Sequence, residues 1–593
     1  MKKEIMTLAA EMKAAGLNAY IVTSSDSHAS EYVHPHFRYR AYASGFTGSA
    51  GTLLVLSGED SPRAYLWTDS RYYLQAGEEL SGSGIELFKA GLPSVPTLDD
   101  FLLKVLPDGA TVGADTDTIP CKAGLELTKK LSTKNIQLTN IDLAEKCWNG
   151  RPALSCGGQI RALPDEITGE SAASKISRIR EAIKSAGADA HVITALDDIA
   201  WILNMRGLDI SYSPVFYSRM IVTQEECRLY AFKDAFGTED LSALSECGTK
   251  LYGYDKFGSG LSELSGLKVL IDTGKTSLST YEIIRKIAVP VIAPNPSNEM
   301  KAVKNGTEIK NLRAANELDG AAMVKFIYEI KKDITTGGKT DELRAGNYLD
   351  SLRIQKGAFS PSFETIAGYG EHGAIVHYSA DKESSATLEP HGFFLVDSGG
   401  HYEIKDAAGT TDITRTIALG PLTDEMKDSY TRVLMGMIDI AKCVFPEGTT
   451  GKQLDTLAHK YLWEAGLDYG HGTGHGIGYI LNVHEGPQNI SPRGQAQLRP
   501  GMVTSDEPGV YLEGKFGVRI ENDILCVRSG REGFLGFETL TLCPFETDAI
   551  KKELLDSSQI SFINEYHKTV FERLSPYLSE EEKTWLESVT RPI

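Results

Sequence analysis

Cysteine is scarce and never closely paired: the chain's 593 residues hold eight thiols and no C-x-x-C spacing. That argues against a zinc-thiolate site and a disulfide framework, and fits reduced thiols in a reducing compartment. No run of about 18 apolar residues occurs, so no transmembrane helix is expected. Met1-Lys2-Lys3 opens like a secretory leader, yet Glu4, Glu11 and Lys13 interrupt what would be its apolar core, and an amphipathic helix is expected instead. Positive charge is in deficit: 61 Lys and Arg against 80 Asp and Glu give a net charge of −19. Such a surface repels phosphate backbones and anionic lipid faces, so neither nucleic acid nor membrane is expected as a partner. The basic aromatic stretch His34–Arg40 is read as a local salt-bridged loop. Signatures of other hydrolases are missing as well. There is no G-x-S-x-G elbow, His484-Glu485 lacks the second histidine of H-E-x-x-H, and Val269 stands where the P-loop ahead of Thr273-Gly274-Lys275-Thr276 requires glycine.

What is present begins with a repeat. IMTLAAEMKAAGLNAYIVT and KISRIREAIKSAGADAHVIT each run from a helical-period stretch through Ala-Gly into a short apolar strand, Ala19–Thr23 and Ala190–Thr194. Two copies of one α/β unit are the economical reading. Asn149-Gly150-Arg151-Pro152 marks the boundary between them, and prolines 290, 294 and 296 close the second copy. The division expected is therefore 1–152, 153–298 and 299–593. The third part opens with a long helix over Thr307–Ile334 and then turns strand-like and glycine-rich. Eight of the 13 histidines fall between residues 360 and 490, so the chemistry is sought there.

Phe393–Asp397 reads as an apolar strand ending in a carboxylate, and Thr411–Ile417 as a strand whose period of two sets Asp412, Thr414 and Thr416 on one face. A hairpin between them would bring Asp397 and Asp412 together; an aspartate at a strand end also serves as a plain turn residue. His471-Gly472-Thr473-Gly474-His475-Gly476 carries two imidazoles on backbone stripped of side chains, open both to close approach and to a reading as a flexible loop. Glu507 stands at a strand terminus before Pro508. Val518–Leu525 alternates so that Arg519, Glu521 and Asp523 share a face, which suits either an exposed edge or a metal. Asp397, Asp412, His475, Glu507 and Glu521 together make an oxygen-rich set with one imidazole, suited to Mn²⁺ or Co²⁺. Four negative charges exceed what one divalent ion needs, so two ions sharing carboxylates are expected.

These contexts, LVDSGG, GTTDITRT, HGTGHGIG, SDEPGVY and VRIEND, resemble the pita-bread metallopeptidases. HGTGHGIGYILNVHEGP, GAIVHY and SGFTGSAGTLLVL are similar to the cytosolic three-domain aminopeptidases P. The resemblance implies an α/β and α+β multidomain fold: two related α/β domains of the creatinase N-terminal kind, then a pita-bread catalytic domain. It implies a cytoplasmic aminopeptidase, homodimeric through the third domain, that releases the first residue from peptides with proline in second position. It also implies two divalent metals, manganese first with cobalt or zinc as alternatives. Asp397 would chelate one metal, Asp412 and Glu521 bridge both, and His475 and Glu507 complete the other. A hydroxide between the metals would attack, with Glu507 taking the proton. His484 or His377 would bond the carbonyl oxygen, His471 would position the proline side or shuttle a proton, and Arg519 would stand at the substrate site holding a carboxylate. One departure is plain: fourteen residues separate Asp397 from Asp412 against the family's ten. An even insertion keeps the faces, and Asp406 is the substitute ligand to be weighed. A prolidase-type dipeptidase and a non-catalytic binding protein on the same fold are the alternative functions.

Overall fold

The computed structural model describes residues 1–58 and 61–593. It forms two compact units, one made of Met1–Leu163 and Glu170–Asn298, the other of Pro164–Gly169 and Glu299–Ile593.

In the first unit the N-terminal segment is a helix, Lys3–Ala14, that buries Ile5, Leu8 and Met12, the stripe expected of an amphipathic helix. Six strands follow: β1 (Ala19–Val22), β2 (Thr52–Leu56), β3 (Arg63–Thr68), β4 (Ile85–Lys89), β5 (Thr111–Ala114) and β6 (Gln137–Asn140). The second copy supplies β7 (Ala190–Ile193), β8 (Ser218–Thr223), β9 (Cys227–Ala231), β10 (Thr249–Gly253), β11 (Lys268–Ile271) and β12 (Val289–Ile292). The sheet orders are β4-β3-β2-β1-β5-β6 and β10-β9-β8-β7-β11-β12, one topology used twice. In each, the first strand runs antiparallel to the second and parallel to the fifth. These central strands, AYIV and AHVI, are buried at every position. Both sheet faces are covered, so alternation gives way to a continuous apolar run. The stretch 34–40 is not the salt-bridged loop expected. Arg40 is buried, donates to the carbonyls of Phe46 and Gly48, and stacks on the Phe46 ring.

The second unit opens with a 30-residue helix, Gly306–Thr335. Asn305 caps it, accepting from the Thr307 and Glu308 amides while Glu308 accepts from the Asn305 amide, a reciprocal cap that fixes where the helix starts. Its buried face carries Leu312, Ala315, Ala322, Phe326 and Ile330. β13 (Ile366–Tyr369), β14 (Phe393–Ser398) and β15 (Ile413–Ala418) form an antiparallel sheet. Phe394 and Val396 of β14, with Ile413 and Ile417 of β15, pack against Ala322 and Phe326 of that helix. Period two then turns Asp397 and Thr414 to the opposite face.

A six-stranded sheet runs in the order Phe445–Pro446, Phe534–Thr539, β21 (Asn522–Arg528), β18 (Val503–Asp506), β16 (Gly474–Gly476), β17 (Glu485–Ile490). A separate ribbon pairs β19 (Gly509–Leu512) with β20 (Phe516–Arg519). The run Val518–Leu525 is thus two strands in two sheets rather than one. Between them the Ile520 amide bonds Pro508 O and the Glu521 amide bonds Thr414 O, so the chain changes partners at Glu521. The residues between Asp397 and Asp412 form a hairpin, Gly400–Ile404 with Ala407–Thr410, pairing with Ala358–Pro361 in a sheet of its own. Asp406 sits at the hairpin's tip with φ of +65° and pairs with exposed Lys310, far from a ligand's role.

Candidate metal centre

Asp397 lies opposite Thr414 in the β14–β15 register, which sets Asp412, two residues before Thr414, on the same face and diagonal to Asp397. Both aspartates are buried. The Thr414 hydroxyl donates to Glu521 Oε2 at 2.7 Å, and Thr416 exchanges hydrogen bonds with the Arg519 backbone. The polar face of β15 thereby docks the break between β20 and β21.

His475 enters from β16, where bare glycines are needed. A side chain at Gly474 would strike Ser505 O, and one at Gly476 would strike Glu485 O. The His475 Nδ1 faces Gly476 O at 3.0 Å, so that nitrogen carries the proton and Nε2 presents a lone pair. Nε2 lies 3.5 Å from Asp412 Oδ2 and 3.4 Å from Glu507 Oε1. Ser505 ties His475 and Glu507 together, accepting the His475 amide at 3.0 Å and donating to Glu507 Oε1 at 3.1 Å. One ligand atom each of Asp412, His475 and Glu521 lies within 4.8 Å of the others.

Burial, compounded by mutual repulsion, holds the Asp412, Glu521 and Asp523 carboxyls far above the ordinary carboxylate range. Burial also raises Glu507, against the pull of His475 and Arg519. Among the described residues, Asp397 Oδ1 and Asp412 Oδ1 are buried with no hydrogen-bond partner. Buried acceptors in this state are costly unless something binds them. Four converging carboxylates, one imidazole lone pair and orphaned carboxylate oxygens fit divalent cations with oxygen preference.

Arg519, almost fully buried, bonds Asp397 Oδ2 at 2.7 Å, Tyr511 OH at 2.7 Å, Thr414 Oγ1 at 3.1 Å and Val376 O at 3.4 Å. Tyr511 OH in turn meets His471 Nε2 at 2.8 Å, while His471 Nδ1 faces Gly472 O at 2.8 Å. Burial and Arg519 lower His471 to about 4, keeping it neutral. The His484 ring stands edge-on to His475 with centroids 4.2 Å apart. His377 follows Val376, whose loop is laid against β20 because Gly373 and Gly517 approach backbone to backbone. The structure therefore gathers Asp397, Asp412, His475, Glu507, Glu521, Arg519 and His484, and links His471 to them through Tyr511. Sequence reasoning missed Tyr511 and Ser505; Asp523, expected on one face with Arg519 and Glu521, accepts the Asp412 amide at its Oδ2 at 3.1 Å.

Residues 310–528 match the model of metallopeptidase family M24 and residues 533–593 its C-terminal region, while 5–146 and 150–308 each match a creatinase/prolidase N-terminal domain. Aminopeptidase P2 of Arabidopsis thaliana is 37% identical, covering 98% of this chain and 86% of its own length. The chain belongs to the aminopeptidase P group of metallopeptidase family M24. Xaa-Pro aminopeptidase ApepP of Drosophila melanogaster is 36% identical across all of this chain and 98% of its own length. The crystal structure of X-prolyl aminopeptidase from Caenorhabditis elegans, described as a cytosolic enzyme with a di-nuclear active site, superposes with a TM-score of 0.95. It shares 32% identity over 100% of this chain and 99% of that one. Xaa-Pro dipeptidase from Bacillus anthracis aligns 99% of its own length with 63% of this chain, at 28% identity and a TM-score of 0.52. The M24 fold is thus the expected one: two creatinase-type α/β domains followed by a pita-bread catalytic domain.

Proposed function

We propose that this chain is a metal-dependent aminopeptidase releasing the first residue from peptides with proline second, and that Asp397, Asp412, His475, Glu507 and Glu521 hold two divalent cations. The observation that carries the proposal is the cluster of Asp412, His475 and Glu521, with Glu507 against His475 and, among the described residues, buried Asp397 Oδ1 and Asp412 Oδ1 without a hydrogen-bond partner. Cations bound there supply Lewis acidity and make water nucleophilic at neutral pH. Glu507, its Oε1 steadied by Ser505, takes the proton of the attacking water and delivers it toward the departing proline nitrogen. His484 and His377 bond the carbonyl oxygen as it gains charge. His471 has both ring nitrogens engaged, which suits positioning the proline side better than shuttling protons. Arg519 spends its donors on Asp397, Tyr511, Thr414 and Val376, which suits orienting a ligand rather than touching substrate.

Full-length likeness to proteins named Xaa-Pro aminopeptidase, against partial coverage by a dipeptidase, favours the longer peptide as substrate. Manganese is the metal we infer, from the preponderance of carboxylate donors. A homodimer through the third domain and a cytoplasmic site are inferred from the resemblance. For the latter, the C. elegans structure is called cytosolic, and among the described residues no helix is long and apolar enough to cross a membrane. We likewise divide the chain near residues 152 and 298. The deciding experiment compares an Xaa-Pro-Yaa tripeptide with an Xaa-Pro dipeptide before chelation, after it, and after Mn²⁺ return. Cleavage of the tripeptide that chelation abolishes and Mn²⁺ restores is expected. Turnover of the dipeptide alone favours a prolidase, and no turnover with metal bound favours a binding protein.

A further inference from the structure

Six residues of the N-terminal half, Pro164–Gly169, belong to the same compact unit as the metal centre. They form one short helical turn, Asp165–Thr168, closed by Gly169 at φ +70°. The carbonyls at such a helix end have no partner within the helix. Here the catalytic unit satisfies them. Tyr479 OH donates to Ile167 O at 2.7 Å, Asn311 Nδ2 bonds both Ile167 O at 3.2 Å and Tyr479 OH at 2.8 Å, and Asn305 Nδ2 donates to Thr168 O at 2.8 Å. Ile167, Thr168, Asn311 and Tyr479 are all buried. A side chain at Gly169 would strike Asn305 Oδ1 and sit 2.7 Å from Thr307 Cβ, so the turn is seated closely.

Tyr479 is four residues beyond His475 and five before His484. The loop between the two histidines is strained: Ile480, a β-branched residue, has φ of +49°, and such a conformation persists only where its surroundings over-determine it. Thr410 Oγ1 holds one side of the loop, bonding the Leu481 carbonyl at 3.0 Å and amide at 3.3 Å. Lys304 Nζ holds its exit, through Glu485 Oε1 at 2.7 Å, with both groups buried. The Tyr479–Ile167 bond ties the loop to the Asp165–Thr168 turn.

We propose that Pro164–Gly169 is a positioning strap for the loop that delivers His484, and that Tyr479 is the positioning residue through which it acts. The strap sets the loop by its backbone carbonyls and touches no reacting group. The inference rests on the proposed function only in giving His484 a substrate to meet. The test uses the full metal-loaded chain with Tyr479→Phe, which keeps the ring and removes the hydroxyl. Amide hydrogen exchange over residues 477–484 is expected to quicken about tenfold, the scale of one net hydrogen bond lost, with exchange in β1 and β7 unchanged. kcat/KM on an Xaa-Pro-Yaa peptide is expected to fall by about the same factor. In a His484→Ala background the further loss is expected to shrink below about twofold, because residues acting as one unit are non-additive. Asn311→Ala, which weakens the same carbonyl and hydroxyl, is expected to act in the same direction and stands in if Tyr479→Phe folds poorly. Unchanged exchange in the loop, or a full additive loss in the His484→Ala background, overturns the proposal. A wild-type chain that cleaves no such peptide counts against the proposed function, while the exchange measurement still decides the strap.

Discussion

Arg519 meets Asp397 at 2.7 Å with both residues buried, and the same guanidinium reaches Tyr511 OH at 2.7 Å. The planar fork serves two acceptors in different directions, which an ammonium at one point cannot do. Arg519→Lys is therefore expected to behave nearly as badly as Arg519→Met. Breaking a buried pair by removing one partner costs about 3–5 kcal/mol, read as a lowered thermal midpoint together with a loss of peptidase activity. A lysine variant with the parent's midpoint and turnover would refute this account of Arg519.

Tyr511 joins Arg519 to His471, and its hydroxyl proton faces His471 Nε2 because Arg519 already donates to the oxygen. Tyr511→Phe is expected to leave the midpoint within a few degrees and to lower kcat/KM about tenfold, the scale of one buried hydrogen bond. His471→Ala should then add little to it, since both act on one chain of contacts. Steady-state kinetics of the two single variants and the double variant checks this.

The sequence revealed some of this geometry and concealed the rest, for physical reasons. Period two on Thr411–Ile417 needs only local alternation, and Phe393–Asp397 only an apolar run that ends in a carboxylate, so the strands carrying Asp397 and Asp412 were legible. The twofold α/β topology was legible because the same local pattern occurs twice. The break at Glu521 was not, since its cause is Thr414 O, an acceptor more than a hundred residues earlier. Nor did any local signal mark Pro164–Gly169 as part of the catalytic unit, because its partners, Tyr479 and Asn311, lie far along the chain. Thr411, whose hydroxyl meets buried Asp319 at 2.8 Å, was hidden for the same reason, although Asp319 and its Arg353 partner anchor the hairpin next to Asp412.

His567 is fully buried, and its Nε2 accepts the Phe545 amide at 3.1 Å, a bond only the neutral ring can make. Burial, then Arg415, lowers it from the ordinary imidazole value of 6.5 to about 4. Between those values the unfolded chain binds a proton that the folded chain refuses. Stability from this group is complete above pH 6.5 and falls as pH drops toward 4, by about 1.4 kcal/mol per pH unit. His567→Gln, which supplies a carbonyl acceptor that does not titrate, is expected to flatten the acid limb of the catalytic unit's thermal transition relative to the parent. Parallel limbs from pH 7 to 4.5 would show that His567 does not titrate as described.

Glu521 sits where repulsion and the proposed coordination pull in opposite directions. Burial, then the neighbouring Asp412, Asp397 and Glu507, raise its carboxyl well above the ordinary carboxylate range, and Thr414 fixes one oxygen. Without cations, replacing it by an amide removes a group that burial and repulsion disfavour in its charged form; with them, it removes a proposed ligand. Glu521→Gln is accordingly expected to raise the thermal midpoint of the chelated protein and lower it in Mn²⁺. Activity should drop by more than the roughly 10–100-fold that changes outside the ligand set cost. A midpoint that moves the same way in both states would mean Glu521 lies outside the cation site, since only a ligand links its charge to the metal in this manner.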